Sequence, residues 1–299
     1  LITGAAGGLG QSMASRLSNA GWKLIVVSRD AERLTRIYGS DHLQIVGDCA
    51  TDAGARQIIA DAKEAGMLPT VLAHCVGNIR LGALYRMQPT DFMDCLTANL
   101  VTAFHMLAAF IGGLRADNLP GSAVLVSSVA AQIGTPNHEA VAAAKAGIEG
   151  LVRGAAATYA PYGIRVNAVA PGIMESPATE KILGAPSARD AAARQYALPG
   201  IGSTDELADL MMVAPAEIET SIARLAQNFG ILYGAAIAMG MSVHRVRPAT
   251  WLKAHPLGTK GEMTTTAWKN KLKARAAELF PSVTVTLWNA DALLILDAA

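Results

Sequence analysis

Cysteine, aromatic residues and charge are all scarce in this chain. Three cysteines (Cys49, Cys75 and Cys95) among 299 residues are too few for a disulfide framework. They also lack the paired Cys-x-x-Cys spacing of a metal site. They sit in or near apolar stretches, read as buried packing, and make a reducing, cytoplasmic setting the expected one. Phe, Trp and Tyr together reach 5%, so Ala, Val, Leu, Ile and Met must build the core, with 28 glycines for turns and close approaches. Charged residues are 16% against 52% hydrophobic, which excludes disorder over most of the length. The longest apolar run, Phe229–Val243, has 15 residues including three glycines. It falls short of the roughly 20 that span a bilayer, so no membrane partner is expected. No secretory signal precedes the first motif. The chain opens without Met, inside what reads as a strand, so residues before Leu1 are expected.

A net charge of +1 argues against a uniformly basic nucleic-acid binder. The charge is nevertheless segregated: residues 244–275 carry eight Lys or Arg against the single acid Glu262, and the chain on either side is mildly acidic. That basic segment suits weak, nonspecific contact with a phosphate backbone or, equally, a solvated helix face.

Residues 1–172 alternate short apolar runs with helical patterns, the signature of a parallel α/β sheet. Strands are expected at 1–3, 23–28, 43–46, 70–74, 123–127 and 165–170. Helices are expected at 10–20, 31–37, 51–65, 90–114 and 139–160. Six strands with crossover helices describe a Rossmann-like doubly wound sheet. Residues 173–203 read as a loop with short helices, a lid over a site. The alternation stops near Val213, which divides the chain into 1–212 and 213–299. Beyond it, a helix over 266–280 and a strand over 283–287 are expected.

The run Thr3-Gly4-Ala5-Ala6-Gly7-Gly8-Leu9-Gly10 joins the first strand to the first helix. In this context Gly4 permits the tight turn and Gly8 lets backbone N–H groups approach a pyrophosphate. Gly10 permits close helix–strand packing, and the helix start supplies partial positive charge. A mere tight turn is the bland alternative, disfavoured by the strand-to-helix context. The second strand ends in Ser28-Arg29, with no carboxylate for a ribose 2′-hydroxyl and a cation suited to a 2′-phosphate. NADP(H) is therefore expected, with NAD as the alternative because Asp30 follows at once.

These residues fall into an ordered set. The glycine loop is followed by Asp48, by His74-Cys75-Val76-Gly77 and by Asn99. Ser127-Ser128, Lys145 and Asn167-Ala168-Val169-Ala170-Pro171-Gly172 complete it. In that order they resemble the short-chain dehydrogenase/reductase family over residues 1 to about 212. The resemblance implies an oxidoreductase acting on a small carbonyl or hydroxyl compound. It places Thr3, Gly4, Gly8, Leu9 and Gly10 at the cofactor phosphates, Ser28 and Arg29 at the adenosine ribose, and Asp48 at the adenine with Cys49 beside it. Gly77 would line the cleft, Pro171 and Gly172 would flank the nicotinamide, and Lys145 would hold the second ribose.

The family's chemistry uses Ser, Tyr, Lys and Asn, with the Tyr as proton donor. Ser128, Lys145 and Asn99 are in place. The position four residues before Lys145 and thirteen after Ser128 is Val141. General acid–base catalysis contributes about 10²–10⁴-fold, and an isopropyl group supplies none of it. Three readings follow: His138 donates the proton, Lys145 or an Asn99-bound water does so, or the domain binds cofactor without hydride transfer. His138 reads more simply as a helix-start residue, and Tyr159 and Tyr162 have the wrong phase to substitute.

After 202–211 the family's usual closing strand is missing, which argues against its usual subunit pairing. Instead 224–240, 247–253, 276–281 and 290–295 resemble the C-terminal half of RuvC-like Holliday-junction resolvases, of the ribonuclease H-like superfamily. That resemblance implies a smaller α/β fragment in which Asp291 is a metal ligand. Its partner carboxylates have no counterpart, so no metal site and no nuclease activity are expected. The alternatives to an oxidoreductase are thus a non-catalytic NADP-binding protein, or a chimera that binds nucleic acid through 244–275.

Overall fold

In the computed structural model, residues 1–194, 200–213 and 265–279 are described. Six apolar runs form parallel strands: β1 (Ile2–Thr3), β2 (Ile25–Ser28), β3 (Leu43–Val46), β4 (Val71–His74), β5 (Gly121–Val126) and β6 (Ile164–Val169). Their order is β3-β2-β1-β4-β5-β6, with β1 in register against β2 on one side and β4 on the other. The chain direction of winding reverses between β1 and β4, which opens a crevice at the carboxyl ends of those strands.

Helices cover both faces, as a sheet buried on two sides requires. On one face lie α1 (Gly8–Asn19), α2 (Ala31–Tyr38) and α9 (Thr204–Val213); their buried Met13, Leu17, Leu34, Leu207 and Met211 pack on Ile2, Val26 and Val124. On the other lie α3 (Asp52–Glu64), α5 (Thr102–Ala116) and α6 (Glu139–Tyr159), whose Ile58, Met106, Phe110 and Ile148 cover Ile25, Leu72 and Leu125. Each such side chain stabilises the fold by about 1.5–3 kcal/mol. The helix α9 is also tied to α1 by Ser12 Oγ donating to Thr204 Oγ1 at 3.0 Å and by Arg16 on Asp209 at 2.6 Å. That ion pair is exposed and adds little beside the apolar contact.

The single helix expected over 90–114 is three pieces: α4 (Pro89–Leu96), a π-helical turn (Thr97–Val101) and α5. The widened turn accommodates an extra residue and brings Asn99 fully inside. This run is long and apolar enough by composition to cross a membrane, yet half of its most apolar stretch is buried in the fold. The lid segment holds β7 (Met174–Glu175), α7 (Glu180–Leu183), α8 (Pro186–Ala193) and β8 (Gly202–Ser203); β7 and β8 pair in parallel, a contact the sequence did not signal. Among the described residues β6 is an edge strand and no strand follows α9.

The chain divides into two units, Leu1–Met239 and Gly240–Ala299. The second contributes α10 (Thr265–Leu279), close to the expected helix, with Leu272 buried and an Arg275–Glu278 ion pair at 2.9 Å. The remaining resolvase-like stretches, Asp291 and the strand expected at 283–287 lie outside the described residues.

Two glycines in helices should respond oppositely to alanine. A Cβ at Gly10 would lie 2.4 Å from the Gly4 carbonyl oxygen and 2.7 Å from Ala5 Cα, both backbone, whereas one at Gly150 meets nothing within 4 Å. In urea denaturation, Gly10→Ala should lose about 1–3 kcal/mol and Gly150→Ala gain about 0.5–1 kcal/mol.

Candidate active site

The glycine loop turns at Gly4, which has φ +70° and whose Cβ would strike the Cys75 carbonyl at 2.8 Å. Gly7 N–H donates to Gly4 O at 2.9 Å, and α1 starts at Gly8. The N–H groups of Gly8, Leu9 and Gly10 are thus first-turn donors without partners inside the helix. The loop is clamped from both sides: Ala5 N–H donates to Val27 O at 3.0 Å, and the buried Tyr38 hydroxyl donates to Ala5 O at 2.7 Å. Above it sits the start of the lid, since a Cβ on Gly8 would be 3.1 Å from Pro177 and 3.5 Å from Thr204.

Three members of the expected set converge at the ends of β4 and β5. Lys145 enters from α6, is 8% exposed, and donates from Nζ to the Val126 carbonyl at 2.7 Å. Burial lowers its ammonium to about 8. Asn99 enters from the π turn and donates through Nδ2 to Asn78 O, Asn78 Oδ1 and Cys95 O at 2.9–3.0 Å. Its Oδ1 is buried and has no hydrogen-bond partner among the described residues. Both groups meet beneath the exposed Gly77, where a Cβ would lie 2.6 Å from Asn99 Oδ1 and 3.6 Å from Lys145 Nζ. Ser128 follows β5 and stays partly accessible. Its Oγ accepts from Ala130 N–H at 3.2 Å, capping a single turn over Val129–Ala131 and leaving the hydroxyl proton free of that contact. The preceding Ser127 is structural: its buried Oγ bridges Lys145 O and Glu149 Oε1.

His74 is the residue whose role the sequence did not reveal. It is 1% exposed at the end of β4, with Nδ1 2.8 Å from Thr3 Oγ1 and Nε2 3.2 Å from Thr102 Oγ1. Thr102 already donates to Ala98 O at 2.9 Å, so Nε2 carries the imidazole proton and Nδ1 accepts from Thr3. Burial, reinforced by the Lys145 charge, lowers this imidazole to about 3 and keeps it neutral. The glycine loop and the Asn99 turn are thereby joined through one ring. Thr3, expected at the cofactor, is buried and its hydroxyl is engaged by His74.

At the end of β2, Ser28 Oγ accepts from Asp30 N–H and the Asp30 carboxylate caps α2 by accepting from Arg33 N–H at 2.9 Å. Asp30 is therefore committed to the helix while Arg29 is exposed. Asp48 is exposed, with Oδ1 accepting from Ala50 N–H at 3.0 Å. Cys49 is buried in the core cluster with Ile45 and Ile58, and burial pushes its thiol up to about 12. Pro171 accepts from Val129 N–H at 3.0 Å, fixing Pro171-Gly172 against the Ser128 turn.

Val141 is 5% exposed and packs with Cys95, Ala140, Met87 and Phe92. The position lacking a phenol is thus sealed by apolar contacts. His138 is the N-cap residue of α6, and its Nδ1 lies 2.8 Å from the Pro136 carbonyl. A carbonyl only accepts, so that nitrogen bears the proton. The ring turns to the preceding loop and makes no hydrogen bond to Ser128 or Lys145. The lid segment encloses an open cavity of about 400 Å³ lined by Glu175, Ser176, Thr179, Glu180 and Arg189, with Arg189 paired to Glu175.

A glycine loop at the switch point of this sheet order defines a Rossmann-like α/β protein of the dinucleotide-site type. The chain belongs to the short-chain dehydrogenase/reductase family: the family profile described as enoyl-(acyl carrier protein) reductase matches residues 4–217. A mouse (Mus musculus) (3R)-3-hydroxyacyl-CoA dehydrogenase is 26% identical over 231 residues, spanning 73% of this chain and 88% of the relative. The 3-oxoacyl-acyl-carrier-protein reductase of Pseudomonas aeruginosa is 27% identical over 217 residues, spanning 71% and 87%. The solved structure of ElxO with NADP bound has the same fold, with a TM-score of 0.67 at 23% identity and coverage of 73% and 91%.

The two buried bases set a pH dependence. Lys145 has a folded value of about 8 against 10.5 free, so native protein sheds this proton first. Stability carries the full penalty below 8 and rises as pH climbs from 8 to 10.5. His74, about 3 against 6.5, removes stability as pH falls from 6.5 toward 3. In urea midpoints across pH, Lys145→Met should lose the alkaline rise and His74→Asn should lose part of the acid fall.

Proposed function

We propose that residues 1–213 form an NADP(H)-dependent oxidoreductase domain acting on the carbonyl or hydroxyl of a 3-oxoacyl or 3-hydroxyacyl thioester, with turnover weakened by Val141. The observation that carries this reading is the convergence of Lys145, Asn99 and Gly77 beside the Ser128 turn, at the crevice end of β4 and β5. The relatives' names supply the substrate class. The commitment of Asp30 to its helix cap, with Arg29 free, favours the 2′-phosphate form of the cofactor.

The residues present fit a dinucleotide. The Gly4 turn and the α1 start give backbone donors for a pyrophosphate, Asp48 stands exposed at the adenine end, and the orphaned Asn99 Oδ1 offers an acceptor beneath Gly77. The cofactor, when bound, supplies the hydride. Lys145 presents N–H donors to a ribose, and the Ser128 hydroxyl donates to a carbonyl oxygen and polarises it. Val141 offers no proton at the position where the family uses a phenol. The burial of Val141 supports a second reading, in which the domain binds NADP(H) and transfers no hydride. A weak phosphate-backbone interaction through 244–275 remains a separate proposal for the C-terminal unit.

NADPH should enhance its own fluorescence on binding, and Arg29→Glu should weaken NADPH about tenfold while leaving NADH little changed, since a charge-assisted phosphate contact is worth roughly that factor. No response to either nucleotide would overturn the cofactor reading. With acetoacetyl-CoA as probe, Val141→Tyr should raise NADPH oxidation by about 10²-fold. A folded, NADPH-binding Val141→Tyr with no gain would favour the non-catalytic reading.

A further inference from the structure

We propose that the cavity bounded by α1, the end of α2 and the start of α9 is a binding site for a neutral ring polyol of monosaccharide size. It is separate from the crevice, since none of the residues lining it is placed at the cofactor or at Ser128. The oxidoreductase reading plays no part in it. The cavity is open, with a volume of about 480 Å³, within the roughly 300–1,000 Å³ of small-molecule sites.

The site starts from the phase of one helix. Gln11, Ser15, Ser18 and Asn19 fall on one face of α1 and line the cavity, while Met13 and Leu17 are buried in the core. A solvent-facing helix surface is better stabilised by Lys, Glu or Arg than by Ser and Asn. Here the short side chains leave open a space that longer ones would fill. The side chains of Ser15, Ser18 and Asn19 make no hydrogen bond among the described residues, and neither does that of His42, which enters from the loop after α2. Hydroxyl, amide and imidazole groups are thus left unengaged around one space.

Their chemistry selects the ligand. One acid lines the cavity, Asp205 in the first turn of α9, and its carboxylate repels phosphates and carboxylates. A cation is disfavoured as well, because the Arg16 guanidinium lies 3.9 Å from that carboxylate while held on Asp209. A neutral ligand with hydroxyl groups suits both kinds of partner, donating to Asp205 and accepting from Ser15, Ser18 and Asn19. The remaining wall is apolar, formed by Ala14, Ile37 and the Tyr38 ring. A ring sugar has a hydroxyl edge and a C–H face, and so matches the two sides. The inner wall is fixed before a ligand arrives. The Tyr38 hydroxyl donates to Ala5 O at 2.7 Å and Gln11 Nε2 donates to Ala6 O at 3.1 Å, which lowers the ordering cost of binding.

The test is saturation-transfer NMR on the whole chain, with glucose and myo-inositol as probes. At least one should receive saturation on its ring C–H protons, with a Kd on the order of 1 mM for so small a neutral ligand. Ser18→Leu fills the cavity from an exposed position with a better helix former, and it should weaken binding about tenfold. Asp205→Asn should weaken it about fivefold, because an amide oxygen accepts less strongly than a carboxylate. No transfer to either probe would overturn the proposal, and so would unchanged binding in a folded Ser18→Leu or Asp205→Asn. Ser15→Leu, one turn earlier, supplies the same reading if Ser18→Leu does not fold.

Discussion

Lys145 carries a primary amine into an interior that offers it no carboxylate, and the hydrogen bond from Nζ to the Val126 carbonyl is what holds it there. An unpaired buried charge is costly, and the backbone acceptor offsets part of that cost. That one bond fastens α6 to the end of β5, the point from which the chain turns into Ser127 and Ser128. Ser127 strengthens the junction by returning a hydrogen bond to the Lys145 carbonyl. The position of the Ser128 hydroxyl, and the pairing of the turn with Pro171, follow from it.

The other half of the site is set from beneath. The neutral His74 ring bridges Thr3, at the root of the glycine loop, to Thr102, just past the turn that carries Asn99. Tyr38 seals the loop from the α2 side through Ala5. A shift of the loop is therefore felt at Asn99, because both ends of the imidazole are engaged and neither threonine has a spare donor in that contact. Together with the close seat of Gly10 on Gly4, this makes the crevice rigid where a pyrophosphate would lie.

Within this frame, Val141 stands where the resemblance implies a phenol, and its burial is a local feature rather than a collapse. The side chain is absorbed into contacts with Cys95 and Phe92. Nearby, the Asn99 amide oxygen has no hydrogen-bond partner among the described residues. The proposed weakening of hydride transfer rests on the single position of Val141.

Much of this was legible in the residues themselves. The alternation of apolar runs and helical patterns determined the parallel sheet, because a strand covered on both faces must be apolar at nearly every position. The glycine spacing determined the loop, because only glycine tolerates the turn at Gly4 and the close approach at Gly10. Helix periodicity set Val141 and Lys145 on one face, and the family resemblance implies a phenol at the first of these positions. What the linear order left open depends on contacts between distant segments. The π turn that internalises Asn99 is invisible to a 3.6-residue pattern. A histidine at a strand end carries no mark of its tautomer until Thr3 and Thr102, 71 and 28 residues away, are brought to its two nitrogens. Likewise a lysine in the chain is an ordinary cation; only the fold, by burying it away from water, lowers Lys145 to about 8.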